Sequence, residues 1–287
     1  MTTLKKLSLF TGLFILLVLK APNAFGVVPY NDLEIPPFLN RASDAVHEDD
    51  FKNITDLLYK IYAPVISEKS GLKFIMNADW NDATVNAYAG RDAESWSVNI
   101  AGGIARAPGM SKDSFAFIVC HEIGHHLGGA PRTFLFDGWP SAEGQADYWA
   151  ASKCLKKYYQ AKANEEVSIG SNVPAKVTSD CTSVYKDFSE FKICIKSMIA
   201  TIHFSNFLNE LPDIKKPTSI ESFDDRIVKG TNTNHYPRPQ CRVDTVYSGV
   251  LCNIEANVAT SETDAKLGHC NDISQLGARP RCWFKQP

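Results

Sequence analysis

No cysteine precedes Cys120, no Cys-x-x-Cys pair occurs, and no lysine and arginine run is long enough to follow a phosphate backbone. The first absence removes the attachment point that a lipid anchor needs after an N-terminal apolar run. The second leaves a structural zinc ribbon or finger poorly supported. The third, with a formal net charge of −2, argues against nucleic acid as a partner. Beyond Leu19 no stretch is apolar and long enough to span a bilayer, which takes roughly 20 residues. Internal repeats and low-complexity tracts are also missing.

What is present begins with a positively charged start, Lys5 and Lys6, and an apolar run from Leu7 to Leu19 that is too short for a span. Small residues follow at Ala24 and Gly26. Together these are the parts of a secretory signal peptide over residues 1–26. Its removal takes away Lys5, Lys6 and Lys20 and no acid, moving the formal charge from −2 to −5. The expectation is an exported protein, in the periplasm or outside the cell, with no integral membrane segment after cleavage. The eight cysteines all lie beyond that segment. An even number in an oxidising compartment reads as up to four disulfides, whose pairing the spacing does not give. Hydrophobic residues at 44% and charged residues at 22% are enough for a folded core.

Helical patterns and a group of short strand patterns occur together, which reads as α+β. Phe51, Ile54, Leu57, Leu58, Ile61 and Tyr62 predict a helix from Asp49 to about Ser67. Gly71 to Met76, Thr84 to Ala89 and Ser95 to Ile100 read as strands, with Asn81-Asp82 as a turn. A helix is expected after Ser111, stopped by Gly128-Gly129 and Pro131. A second is expected from an N-cap at Ser141 to about Ala163, then a loop from Glu165 to Thr182 and a helix from Ser183 to about Leu211. From Pro212 onward Gly, Pro and Asn accumulate, and four of the eight cysteines fall there. Residues 27–212 are therefore expected as the main domain, and 213–287 as a loop-rich, disulfide-stapled extension packed on it.

The segment His121-Glu122-Ile123-Gly124-His125 carries the chemistry. Two histidines four apart on a helix project from one face, so two neutral imidazoles can reach one metal ion. Glu122 points aside, where it can act on metal-bound water, and Gly124 leaves room beside the metal. The plainer alternative is a helix with two surface histidines and a solvated glutamate. A catalytic zinc takes three protein ligands and keeps one position open. The extension His-Glu-x-x-His-x-x-Gly-x-x-His fails, because Pro131 stands where its third histidine would be. Glu143, early in the next helix, is the other candidate, with Asp147 four residues on to receive a ring N–H of a bound histidine. Without a metal, Glu143 is a first-turn acid favoured by the helix dipole and Asp147 a solvated charge. His126 and Cys120 each lie about 100° from the neighbouring ligand position and read as neighbours, not ligands. Cys154 is expected to tie the Glu143 helix to a neighbour, through Cys181 or Cys194.

Asn86-Ala-Tyr-Ala89, a strand ending at Gly102-Gly-Ile104, His121 to His125, and Glu143-Gly-Gln-Ala-Asp147 follow one another in this order. Over residues 70–155 this series resembles the gluzincin peptidases related to HtpX and the CaaX-prenyl proteases. The resemblance implies a zincin-like metallopeptidase domain with a small sheet and active-site helices. It implies one zinc ion per chain on His121, His125 and Glu143, Glu122 as general base, and Asp147 supporting a histidine. It also assigns the strand near Ser95 to Ile100 the task of holding an extended protein or peptide substrate by strand addition. In His235-Tyr-Pro-Arg-Pro-Gln-Cys-Arg242 it places His235 or Arg242 opposite the transition-state oxyanion, though Tyr236 and Cys241 depart from the family's pattern. The transmembrane helices of the embedded relatives are missing, so membrane-embedded substrates are not implied.

The function expected is hydrolysis of peptide bonds in cell-envelope or extracellular proteins by metal-activated water. Two other classes compete. A zinc-containing, chaperone-like peptide binder would hold extended segments without cutting them, and a disulfide-rich structural protein would bind no metal.

Overall fold

The computed structural model describes residues 23–29, 31–39, 46–162 and 173–286. The expected signal segment lies outside these residues up to position 22, as does part of the polar stretch, 163–172. Helix α1 spans Glu48–Ser70, with Glu48, Asp49 and Asp50 in its first turn, where the helix dipole favours acids. It ends at Gly71, whose φ of 71° suits a residue without Cβ.

Strands β1 (Asn23–Gly26), β2 (Lys73–Asp79), β3 (Ala87–Arg91) and β4 (Ser95–Ala101) form one sheet in the order β1-β3-β4-β2. The last residues of the expected signal segment thus form an edge strand. β2 runs parallel to β4, with Phe74 opposite Trp96, and β3 runs antiparallel to it, with Ala89 opposite Val98. Asp92 closes the β3–β4 hairpin by accepting the N–H groups of Glu94 and Ser95. β4 is therefore an inner strand with partners on both sides. That overturns the expectation that Ser95 to Ile100 holds a substrate by strand addition, since its backbone groups are already spent on β2 and β3.

A single turn α2 (Gly102–Ala105) leaves β4, and Gly103 must be glycine because a Cβ there would lie 1.9 Å from the Ala83 carbonyl oxygen. Helix α3 (Lys112–Leu127) starts at Ser111, which exchanges hydrogen bonds with Ser114. Every residue from Ser114 to Leu127 is buried, so α3 is the axis of the molecule rather than an amphipathic surface helix. It packs on α1, β3, and the helices that follow.

Helix α4 (Glu143–Trp149) continues through a π-turn at Ala150–Cys154 into α5 (Leu155–Ala161). Ser141 is not its cap. The Ser141 hydroxyl donates to the Gly129 carbonyl, and Ala142 holds the cap position. Helix α6 (Ala175–Val184) forms within the stretch expected to be a loop, and α7 (Phe188–Asn209) starts at Asp187, whose carboxylate caps Ser189 and Glu190. A helix not anticipated, α8 (Pro239–Val250), rises inside the cysteine-rich region with proline at its first position. Its Val243, Val246 and Val250 belong to the main hydrophobic core.

The eight cysteines form four disulfides: Cys120–Cys154, Cys181–Cys194, Cys241–Cys282 and Cys252–Cys270. Cys154 thus reaches α3, not α6 or α7 as expected. No helix among the described residues is long and apolar enough to cross a membrane. The α+β architecture and the disulfides are compatible with export.

Candidate metal centre

His121 and His125 leave α3 on the same face, their ring centroids 4.8 Å apart. Each Nδ1 is bound to an oxygen. His121 Nδ1 lies 2.8 Å from Asp147 Oδ1, and His125 Nδ1 lies 2.9 Å from the Ser141 carbonyl oxygen. A carbonyl only accepts, so His125 Nδ1 carries the proton, and a carboxylate held in its charged form asks the same of His121. Both Nε2 lone pairs then point the other way. Glu143 meets them there, with oxygens 3.3 Å from His121 Nε2 and 3.6 Å from His125 Nε2.

None of these atoms has a hydrogen-bond partner of good geometry. His121 Nε2, His125 Nε2 and both oxygens of Glu122 and of Glu143 are buried and unpaired. Ligand atoms of His121, Glu122 and His125 fall within 4.8 Å of one another. In their deprotonated forms, two imidazole nitrogens and two carboxylates buried together are the donor set of a divalent cation. The residues present fit zinc.

The shifts around the cluster do not all run one way. Burial raises Glu122 to about 8, Glu143 adding to the rise and His121 and Arg242 opposing it. Glu143 is raised too, by burial first. Burial and the neighbouring His121 lower His125 to about 3, so its imidazole is neutral. Burial opposes the charge on His121, but Asp147 and Glu143 outweigh it and bring the group to about 10. Asp147 stands apart. Burial opposes its charge, yet Arg242 and His121 outweigh that and hold it at about 2.

Arg242 explains this. Its Nε and Nη2 each donate to Asp147 at 2.8 Å, and its Nη1 donates to the Val27 carbonyl at 2.6 Å. The side chain is buried, 2% exposed, behind Asp147. Where the resemblance implied an oxyanion partner, Arg242 spends three N–H groups on Asp147 and the Val27 carbonyl, holding the acid that holds His121. His235 is exposed, and its backbone N–H is tied to Asn232. Its neighbour Tyr236 turns inward instead. Burial and the charges of Glu143, Glu122 and Asp147 raise this phenol, and its hydroxyl donates to the Gly26 carbonyl. A tyrosine between His235 and Pro237 gives no periodicity or spacing from which this could be read.

Gly124 is needed for a reason other than room beside a metal. A Cβ there would lie 3.0 Å from the Ala146 carbonyl oxygen, so the glycine lets α4 approach α3 closely enough to bring Glu143 to the histidines. His126 stacks between Trp96 and Trp139, with centroids 5.2 and 5.1 Å away, and its Nε2 meets the Ser97 carbonyl. It is a neighbour, as expected. Cys120 is consumed by its disulfide. From the sheet side, the Ala89 N–H of β3 lies close enough to Glu122 to favour its charged form.

Compared with protein-family models, curated proteins and solved structures, the chain matches none of them.

Proposed function

We propose that the chain is an exported zinc-dependent endopeptidase of the gluzincin type, acting on cell-envelope or extracellular proteins. The observation that carries this reading is the cluster of unpaired Nε2 atoms on His121 and His125 facing the Glu143 carboxylate, each histidine locked from behind. His121, His125 and Glu143 hold the zinc, and Asp147 with Arg242 fixes the His121 ring. Bound there, zinc supplies Lewis acidity, lowering the pKa of water and polarising a carbonyl. Glu122 supplies the proton transfers. Its carboxylate takes a proton from the attacking water and returns it to the leaving amine. Its place supports this, since a Glu122 carboxylate oxygen lies within 4.8 Å of ligand atoms of both histidines. The order of motifs from Asn86 to Asp147 supports the gluzincin placement.

Glu122→Gln tests the reading, because it removes the base while keeping shape. Zinc content by metal analysis should stay near one per chain, while hydrolysis of a peptide library should fall by roughly 10²–10⁴-fold. Unchanged hydrolysis would sink the assignment. Bound zinc with no chelator-sensitive cleavage by the unaltered protein would make it a peptide binder instead.

A further inference from the structure

β3 is the strand that lies against the candidate centre, and its outer edge is covered by the chain itself. β1 runs antiparallel along it, Asn23 opposite Gly90 and Gly26 opposite Tyr88. Between those two pairs β1 advances three residues and β3 two, so the β1 backbone bulges opposite Ala89. Ala89 is the residue whose N–H faces Glu122. The Gly26 carbonyl accepts from Tyr236, and the next carbonyl, Val27, accepts from Arg242. Both donors stand among the acids of the site. We infer that Asn23–Gly26 is an intramolecular occupant of the edge on which an extended peptide substrate would pair, so that removing the chain before Val27 opens this edge from Tyr88 to Arg91. The inference rests on the peptidase reading for the identity of the peptide.

The break falls between Gly26 and Val27 for physical reasons. Val27 and Val28 are 0% and 1% exposed and belong to the main core, while Asn86 grips the Val28 backbone through Oδ1 and Nδ2. Upstream the described interactions are those of an edge strand: the pairing to β3 and the hydrogen bond from Tyr236. Gly26 also has to be small, since a Cβ there would lie 2.4 Å from Asn86 Oδ1. The opposite edge of the sheet belongs to β2, which packs on α1. β3 is thus the edge on which a backbone can pair within reach of Glu122. Val27 keeps its own hold on β3, its N–H donating to the Ala87 carbonyl at 2.9 Å, so the stretch set free is Tyr88–Arg91.

The test uses Glu122→Gln throughout, so that peptide is bound but not cut, and compares the full chain with the chain from Val27 to Pro287. A melting curve first establishes that both are folded. Fluorescence anisotropy with a labelled, extended peptide library should show binding about tenfold or more tighter without the leader. Amide exchange at Tyr88–Arg91 should quicken in the same form when no peptide is present. In the full chain, Ala24→Pro with Phe25→Pro should move both readouts the same way, because proline removes the N–H donors of the edge strand. Equal affinity and equal exchange in the two folded forms would overturn the occupancy while leaving the peptidase reading intact. Faster exchange with no peptide bound by either form would overturn the inference through the peptidase reading itself.

Discussion

Two helices meet at the candidate centre, and they are built in opposite ways. α3 carries its histidines on 16 residues, opens with a reciprocal Ser111–Ser114 cap, and is enclosed on all sides. α4 carries Glu143 and Asp147 on only 7 residues, with no side-chain cap. What holds α4 comes from far along the chain. Arg242 grips Asp147. Arg279 donates to Gln145 Oε1, and the Tyr148 hydroxyl donates to the Gly277 carbonyl. The Trp283 ring lies against Gly144, where a Cβ would come within 2.4 Å. The difference shows what the cysteine-rich region contributes. Residues beyond Pro212 form the backing of the helix that completes the ligand set.

Breaking that backing at Asp147 should have the largest effect. Asp147→Ala leaves the Arg242 guanidinium buried without its partner and frees the His121 ring. Stability should fall by about 3–5 kcal/mol in denaturant melts, and zinc affinity by roughly 10–100-fold in chelator competition. Adding Arg242→Met removes the unpaired charge and should recover much of the stability but none of the affinity. Recovery of both would show that Asp147 acts on the fold and not on His121.

Gly144→Ala is a smaller probe of the same side. The added methyl meets the Trp283 ring, and overpacking of this kind costs about 1–3 kcal/mol. Zinc affinity should weaken with it, since Glu143 is the adjacent residue. A full loss of stability with unchanged affinity would separate the backing from the metal centre.

The pH dependence compares the two sides directly. His126 on α3 and His269 behind α4 are both lowered to about 3, by burial first and then by Arg91 and Arg279 respectively. The unfolded chain takes up these protons near the ordinary histidine value of about 6.5, while the folded chain does not. Each group therefore contributes stability above that value and loses it as pH falls toward 3. The slope is about 1.4 kcal/mol per pH unit for each histidine. Melts of His126→Phe and His269→Phe should each flatten this slope, and equal flattening would mean that neither side dominates acid sensitivity.

The sequence made legible what is local. Helix α3, its cap at Ser111, its glycine stop and the His121–His125 spacing all follow from residues close together. The structure also brings Glu143 and Asp147 to the histidines as expected. What was misread depends on distant partners. Ser141 looked like a cap, but the Gly129 carbonyl competes for its hydroxyl. Helix α8 was hidden because it starts at a proline among loop-forming residues, and its valines make sense only against the main core. The Ser95–Ile100 alternation gave a strand correctly but not its place between β2 and β3, which register alone decides. The Cys120–Cys154 link and the inward turn of Tyr236 likewise have no local signal.

The two Nδ1 anchors of the histidines have unequal standing under mutation. His121 leans on a side chain, and every amino-acid change at position 147 alters the partner it sees. His125 leans on the carbonyl of Ser141, which any residue type at that position would still present. One imidazole is therefore open to gradual adjustment by sequence drift, and the other is insulated from it. An engineer seeking to retune the metal centre has a handle at one ligand and must reshape the backbone to reach the other.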